Sequence, residues 1–256
     1  MIRPILSLVA IAALACSALG DEVKDRCLTA TVRLMISHGS GTVYGSGTVV
    51  ERNGRRGIVA TCAHLFRKTE GQQPVHADVY LNGQRYRSTG KCLIYDFKTD
   101  VAYVGFDDLP DMPAISMASY DHLPRPGDSG YVAGCDYSSA PAVWDTKITA
   151  INRVSTTPNI ETSQVPRQGR SGGGVFSADG RLMGVCQGVN PVHGEGIYPA
   201  VEHFRPLERA AVEWMRRPAR DQPREPERIV ERPRSTDWWN PEWSKQIKPG
   251  RLSLSQ

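Results

Sequence analysis

Short apolar runs recur at roughly ten-residue intervals along most of the chain, and this spacing constrains the fold more than any other feature. Turn signals separate the runs, and Asn53-Gly54 and Asn82-Gly83 are pairs that favour tight hairpins. No long helical periodicity intervenes before residue 201. The pattern predicts an all-β fold of antiparallel strands. The predicted strands are Ala30–Ile36, Gly45–Glu51, Ile58–Ala63, Asp78–Leu81, Gly90–Tyr95, Val101–Phe106, Gly130–Gly134, Val143–Val154, Gly174–Ser177, Leu182–Val189 and Gly196–Ala200.

The overall charge says little about the folded part of the chain. Of the 256 residues, 40% are apolar and 23% are charged, an ordinary balance for a globular protein. The formal net charge of +4 belongs to residues 216–256, which hold ten Lys and Arg against six Asp and Glu. The remainder is neutral, so nucleic-acid binding has no electrostatic support.

The first twenty residues have the pattern of a secretory signal peptide. Arg3 is the charged start, an apolar run covers residues 5–15, and a small-x-small cleavage site ends at Gly20. The run is too short to span a bilayer comfortably, so no transmembrane segment is predicted. Cys16 leaves a lipoprotein alternative, but the residue three positions before it is Ala rather than the usual Leu. We expect an exported protein, periplasmic, on the cell surface or secreted.

Five cysteines remain after the predicted cleavage, an odd number for an oxidising compartment, so at least one thiol has no partner within the chain. The sequence does not choose among the ways of pairing the others. Their spacing matches no zinc motif, and we expect neither a metal nor a cofactor. Several fit equally well as small buried apolar residues. The five are Cys27, Cys62, Cys92, Cys135 and Cys186.

The segment Gln168–Gly174, here called the serine loop, places Ser171 among four glycines. Glycines remove the Cβ atoms that would block a substrate carbonyl from reaching backbone N–H groups. A nucleophilic serine needs such surroundings, although a plain tight loop has the same composition. The segment also fits the Gly-x-Ser-x-Gly elbow of α/β-hydrolases. That elbow must begin a helix, whereas here an apolar run leads to the turn at Asp179-Gly180, which favours a strand.

Two upstream segments make a nucleophile the better interpretation. Thr61-Cys62-Ala63-His64 closes one apolar run, and Thr99-Asp100-Val101-Ala102 opens another. The order His, Asp, Ser along the chain is that of the chymotrypsin-type triad, and other serine hydrolases use other orders. Asp100 is preferred because it directly precedes a strand. Its competitors for the role are Asp96, Asp107 and Asp108.

With these segments in place, residues 28–214 resemble a trypsin-like serine protease. Thr-Cys-Ala-His corresponds to the usual Thr-Ala-Ala-His, and Thr-Asp-Val-Ala corresponds to Asp-φ-Ala. Gly-Arg-Ser-Gly-Gly corresponds to Gly-Asx-Ser-Gly-Gly, and Gly196-Ile197-Tyr198 matches the segment after the specificity pocket. The compact spacing is similar to that of the bacterial HtrA type. The resemblance implies two six-stranded antiparallel β-barrels of the chymotrypsin type, with His64 and Asp100 in the first and Ser171 in the second.

The resemblance also implies a role for each residue. His64 is the general base, Asp100 orients its imidazole and Ser171 is the nucleophile. The N–H groups of Gly169 and Ser171 form the oxyanion hole. Arg170 departs from the family, since relatives have Asp or Asn there and an arginine cannot pair with a newly cut N-terminus.

Counting back from the serine, the resemblance places Val165 at the floor of the primary specificity pocket. Gln187-Gly188-Val189 and Gly196 are its walls. With no carboxylate at the floor, we expect the pocket to accept Val, Ala or Leu and to reject Lys and Arg. Glu195 is the residue that would reverse this preference if its carboxylate faced the pocket.

The chain changes character near its end. Leu207, Ala210, Ala211 and Trp214 have helical spacing, which predicts a C-terminal helix, with Pro206 in its first turn, packed on the second barrel. The protease domain is then 21–215. Residues 216–256, with six prolines among mixed charges, are predicted to be a disordered tail without the PDZ module usual in HtrA proteins. Within the tail, the group Trp238, Trp239 and Trp243 is either a docking motif or folds back on the barrels.

The sequence therefore predicts an exported serine endopeptidase that cleaves protein or peptide substrates through an acyl-enzyme on Ser171. The alternative is a catalytically silent protein of protease fold that recruits a partner through its tail. The complete set of His64, Asp100 and Ser171 favours the enzyme, and only chemistry discriminates between the two.

Overall fold

The computed structural model describes residues 20–39, 41–119, 124–137, 139–154, 158–218 and 226–229. The predicted signal peptide, except Gly20, and the tail tryptophans lie outside these ranges. The described residues form two antiparallel sheets, one built mainly from the first half of the chain and the other from the second half. No helix in these ranges is both long and apolar enough to cross a membrane.

The first sheet closes into a six-stranded barrel. Its fifth strand is bent, and pairs with β4 through its first half and with β6 through its second half. Gly90 lies at the bend, where a side chain would collide with Gly105 and the Phe106 ring. The core inside this barrel is aliphatic with two phenylalanines. The strands are β1 (Thr31–His38), β2 (Gly41–Asn53), β3 (Arg56–Thr61), β4 (Pro74–Leu81), β5 (Gln84–Asp96) and β6 (Val101–Phe106).

The second sheet closes less completely. Its order is β11-β10-β7-β8-β9-β13-β12, and a single bridge between Gly184 and Ala200 joins its far ends. Only two residues separate β11 from β12, and β12 pairs with β13, so β11 and β12 act as one interrupted strand. The predicted fold class of two antiparallel barrels is confirmed. The strands are β7 (Ser129–Cys135), β8 (Pro141–Ile151), β9 (Asn159–Thr162), β10 (Gly174–Ser177), β11 (Leu182–Val185), β12 (Gly188–Asn190) and β13 (Glu195–Pro199).

A helix that the sequence analysis missed, α1, covers residues 20–29. It packs on the second barrel, where Val23 and Cys27 lie against Gly180. Lys24 pairs with the Asp145 carboxylate at 2.9 Å. Its apolar side chains are only Val23, Cys27 and Leu28 in a strongly charged segment, so its amphipathic signal is weak.

The predicted C-terminal helix is present, but its predicted packing is wrong. A 3₁₀ helix, Val201–Leu207, contains Pro206 and leads into α2 (Glu208–Arg216). The Trp214 indole lies against Gly105 of the first barrel, because that glycine leaves room for the ring. Arg56 of β3 lies over the same ring at 5.0 Å and donates to the Trp214 carbonyl at 2.6 Å. The helix therefore packs on the first barrel instead of the second.

The tail prediction also needs a correction. Glu227–Ile229 forms a strand, β14, that pairs antiparallel with Arg85–Arg87 of β5. The first half of β5 has an edge that β4 leaves uncovered, and the tail adds a seventh strand there. The prediction of disorder is wrong for these three residues, while 219–225 and 230–256 lie outside the described ranges.

Candidate active site

Strand pairing within the first barrel brings His64 and Asp100 together. β3 and β6 are antiparallel, with Thr61 opposite Ala102, so the end of one strand lies beside the start of the other. One Asp100 carboxylate oxygen accepts the His64 backbone N–H at 2.8 Å, and the other lies 2.8 Å from Nδ1. This arrangement places the imidazole proton on Nδ1 and leaves the Nε2 lone pair to act as a base.

Asp100 has a backbone conformation that few non-glycine residues adopt. Its φ is 58°, in the left-handed region, which Asp tolerates better than most residues. This turn directs the buried carboxylate back towards His64. The competing carboxylates have other partners, since Asp96 accepts from Lys98 and Thr99, and Asp107 pairs with Arg56. None of Asp96, Asp107 and Asp108 bonds to His64 in the described residues.

Only some of the backbone N–H groups of the serine loop donate hydrogen bonds to other described residues. The N–H groups of Arg170, Gly172 and Gly173 donate to the carbonyls of Arg167, Cys186 and Arg170 respectively, at 2.8 to 3.1 Å. The N–H groups of Gly169 and Ser171 donate to no acceptor among the described residues. These two are the groups that the sequence predicted as oxyanion-hole donors.

The carbonyls of the loop explain where those two N–H groups point. In a trans peptide the C=O and the next N–H point in opposite directions. The Gln168 carbonyl accepts from Tyr137 N–H at 2.6 Å, and the Arg170 carbonyl accepts from Gly173 N–H at 2.8 Å. The N–H groups of Gly169 and Ser171 therefore point away from these internal partners.

Arg170, the departure from the family pattern, is an anchor of the loop. Its buried guanidinium forms a bidentate ion pair with Asp136, just after β7, in which Nη2 lies 3.0 Å from Oδ2. The guanidinium also lies 3.5 Å from the Trp144 ring centroid and donates to the Val165 carbonyl at 3.3 Å. An Arg–Asp pair thus stabilises the loop from within the second barrel.

Ser46, which the sequence analysis did not single out, holds the loop from the first barrel. It is fully buried in β2, and its N–H donates to the Ser171 carbonyl at 2.7 Å. Its hydroxyl donates to the Gly169 carbonyl at 2.8 Å. The signal in the sequence is a serine between Gly45 and Gly47, but nothing there identifies its partners.

The serine loop meets the segment that joins β3 to His64, and the Ser171 hydroxyl has no hydrogen bond to the imidazole among the described residues. A Cβ built on Gly172 would lie 3.1 Å from the Cys62 nitrogen. His64 Nε2 lies 3.6 Å from Cys62 Sγ. Burial raises the pKa of the Cys62 thiol well above its usual value, so this group stays protonated and is not a competing nucleophile. Hydrogen bonds between a catalytic serine and histidine are often long or poorly aligned without substrate and tighten only when it binds.

The predicted pocket residues fall into two groups. Val165, Gln187 and Val189 are exposed, and nothing lies within 4 Å of a Cβ built on Gly188, so this side of the site is open. Gly196, the other predicted wall, leaves no open space in the pocket, because a Cβ there would lie 2.9 Å from the Tyr198 ring. The space beside Gly196 is already filled.

The Glu195 carboxylate has a positively charged partner, so it is not an unpaired charge in the pocket. Its carboxylate bonds to Arg153, which also forms a bidentate pair with Glu161 at 2.9 and 2.7 Å. The hydrogen bond from Arg153 lowers the pKa of Glu161. Arg153 thus supplies a positive partner for both carboxylates.

The five cysteines in the described residues are free thiols. Burial raises the pKa of Cys27, Cys92, Cys135 and Cys186 to about 12. These properties fit small apolar residues in the core. Within the described ranges no group of three or more His, Cys, Asp or Glu side chains could hold a metal ion.

Residues 45–185 match the family model of the trypsin-like peptidase domain. Among solved structures, the HtrA-type protease AlgW with a tripeptide is similar at 20% identity and a TM-score of 0.63, over 76% of this chain and 64% of that one. A serine endoprotease from Yersinia pestis is similar at 21% identity and a TM-score of 0.61, over 76% and 67%.

A protease from M. tuberculosis in its active form is similar at 18% identity and a TM-score of 0.62, over 74% of this chain and 84% of that one. At these identities the likeness shows the fold alone. This chain spans 64% of the length of the AlgW chain. No curated protein matches in sequence.

Proposed function

The chain belongs to the trypsin-like peptidase family, and on that premise we propose that it is a serine endopeptidase acting through an acyl-enzyme on Ser171. The observation that carries the proposal is which backbone N–H groups of the serine loop donate hydrogen bonds and which do not. Among the N–H groups from Gly169 to Gly173, only those of Gly169 and Ser171 are left without an acceptor in the described residues. An oxyanion hole requires two such donors beside the nucleophile.

The proposed reaction uses the groups at the cleft in sequence. The Ser171 hydroxyl attacks the peptide carbonyl carbon while His64 Nε2 takes its proton, and Asp100 stabilises the imidazolium. The N–H groups of Gly169 and Ser171 stabilise the oxyanion. Collapse of the tetrahedral intermediate breaks the C–N bond, and His64 gives the proton to the leaving amine. A water molecule, deprotonated by His64, then hydrolyses the ester and regenerates Ser171.

The open side of the site supports a preference for apolar side chains before the cleaved bond. Val165 and Val189 expose apolar surface, and Gly188 leaves room. Glu195 has Arg153 as its partner, so its carboxylate is a poor counterion for a substrate Lys or Arg. A peptide library varied at that residue should give the highest kcat/KM for Val, Ala or Leu. A strong preference for Lys or Arg would show that the pocket residues are misassigned.

Export is part of the proposal and rests on the signal-peptide pattern of residues 1–20. A trypsin-like peptidase that is secreted, periplasmic or on the cell surface would meet protein and peptide substrates outside the cytoplasm. Determination of the N-terminus of the mature protein tests it, and a start near Asp21 is the expected result.

Covalent labelling tests the assignment of the nucleophile. A fluorophosphonate should label the wild-type protein at Ser171, and Ser171→Ala should lose both the label and about a million-fold in kcat. Ser37→Ala, at an exposed serine of β1, is the matched control and should keep both. A folded wild-type protein that takes no label and cleaves no peptide would support the silent, partner-recruiting alternative.

A further inference from the structure

We propose that Ser46 is a positioning residue that sets the shape of the serine loop, and through it the oxyanion hole, from the opposite barrel. Ser46 lies in β2 of the first barrel, whereas the loop belongs to the second. The inference rests on the proposed function and adds to it a residue that does not touch the substrate.

Ser46 uses all of its polar groups in four hydrogen bonds. Its N–H donates to the Ser171 carbonyl at 2.7 Å, and its hydroxyl donates to the Gly169 carbonyl at 2.8 Å. The hydroxyl oxygen accepts the Cys135 N–H at 2.8 Å, and the Ser46 carbonyl accepts from the Thr61 hydroxyl at 2.7 Å. One buried residue therefore joins β2, β3, the end of β7 and the serine loop.

The two carbonyls that Ser46 binds belong to the two residues whose N–H groups are the proposed oxyanion donors. Because both bonds end on one residue, they fix the position of Gly169 relative to Ser171. The directions of the Gly169 and Ser171 N–H groups depend on the backbone that these two bonds hold in place. A change at Ser46 should therefore alter the oxyanion hole before it alters the binding of a peptide in the cleft.

Packing around Ser46 leaves the loop little room to adjust. A Cβ on Gly172 would overlap the Ser46 carbonyl and the Thr61 hydroxyl. A Cβ on Gly134 would lie 3.2 Å from the Ser46 hydroxyl and 3.4 Å from Arg170. The two barrels thus meet at this point through backbone atoms and two buried hydroxyls, and the way they pack is coupled to the shape of the loop.

Ser46→Ala is the direct test, with Ser88→Ala as the matched control. The substitution leaves the Gly169 carbonyl and the Cys135 N–H without this partner in a fully buried place, while the backbone bond to Ser171 remains. Ser88 is equally buried in the first barrel and donates to the Asp108 carbonyl at 2.9 Å, away from the loop.

We expect Ser46→Ala to lower kcat about 10- to 100-fold, less than the outright loss of an oxyanion donor, with KM within about twofold. The inhibition constant of a peptidyl boronate with an apolar residue, which mimics the transition state, should rise by a similar factor. Ser88→Ala should leave both within about twofold. Unchanged kcat in Ser46→Ala, or an equal loss in Ser88→Ala, would overturn the proposal.

Amide hydrogen exchange separates this inference from the proposed function, because it needs no activity. The peptide covering residues 168–174 should exchange faster in Ser46→Ala than in the wild-type protein and in Ser88→Ala. Equal exchange would overturn the role of Ser46 even in an active enzyme, and faster exchange would support it even in a silent protein. If Ser46→Ala does not fold, Ser46→Cys, which keeps the shape but bonds weakly, replaces it in both measurements.

Discussion

The two halves of the candidate site are held in different ways. His64 lies just after β3 and Asp100 just before β6, two neighbouring strands of one closed barrel, and two bonds of 2.8 Å join them directly. Ser171 lies on a loop whose shape depends on partners elsewhere, Ser46 in the other barrel and Asp136 at the end of β7. The half that holds His64 and Asp100 is thus a product of strand pairing, whereas the serine half is a product of contacts between distant segments.

This difference predicts two kinds of failure. Changes in the first half should remove chemistry and leave the structure intact, because the barrel does not need the carboxylate charge. Changes in the second half should affect both stability and rate, because the same contacts order the loop and orient its N–H groups.

Among the changes that test this comparison, the largest effect is expected for Asp100→Asn. The amide keeps the size of the carboxylate and tolerates the positive φ, but it stabilises the wrong imidazole tautomer, so kcat should fall about 10⁴-fold. Steady-state kinetics measure the loss, and thermal unfolding should show a Tm close to that of the wild-type protein. Asp111→Asn, at an exposed carboxylate paired with Arg52, is the control and should keep full activity. A large drop in Tm for Asp100→Asn would contradict the distinction between the halves.

An intermediate effect is expected for Asp136→Asn in the second half. It leaves the buried Arg170 guanidinium without its counterion, which should lower the free energy of unfolding by about 3 kcal/mol. Loss of order in the loop should lower kcat about tenfold. Urea unfolding and kinetics measure the two changes.

Asp179→Asn is the matched control for that experiment, because its ion pair with Arg181 is exposed. Its cost should be below about 1 kcal/mol, with kcat unchanged. If Asp136→Asn behaves like this control, the Arg170 pair does not anchor the loop.

The smallest effect is expected from truncation after Arg217, which removes β14. Arg56 bonds to the carbonyls of Trp214 and Arg217, so the cut must fall beyond them. Three residues on an outer edge contribute little, and we expect kcat within about twofold and a loss of unfolding free energy below about 1 kcal/mol. Loss of cleavage of a small peptide would show that the tail strand supports the site.

Much of the fold was predictable because its signals are local. Apolar runs and turn pairs such as Asn82-Gly83 show strands and hairpins directly, and both predicted barrels are present. His64, Asp100 and Ser171 stand out through the residues beside them and their order in the chain. Their catalytic roles stay predictions, but these three residues could be selected as candidates without knowledge of distant contacts.

The tertiary structure decided the features that depend on partners far along the chain. The hydroxyl of Ser46 meets Gly169 across 123 positions, and Arg170 meets Asp136 across 34. The side of the molecule on which α2 packs depends on the room that Gly105 leaves for Trp214. Periodicity shows that a helix has an apolar face but not which surface will cover it. A buried polar side chain likewise has no visible partner until the barrels pack and bring its acceptors within hydrogen-bond distance.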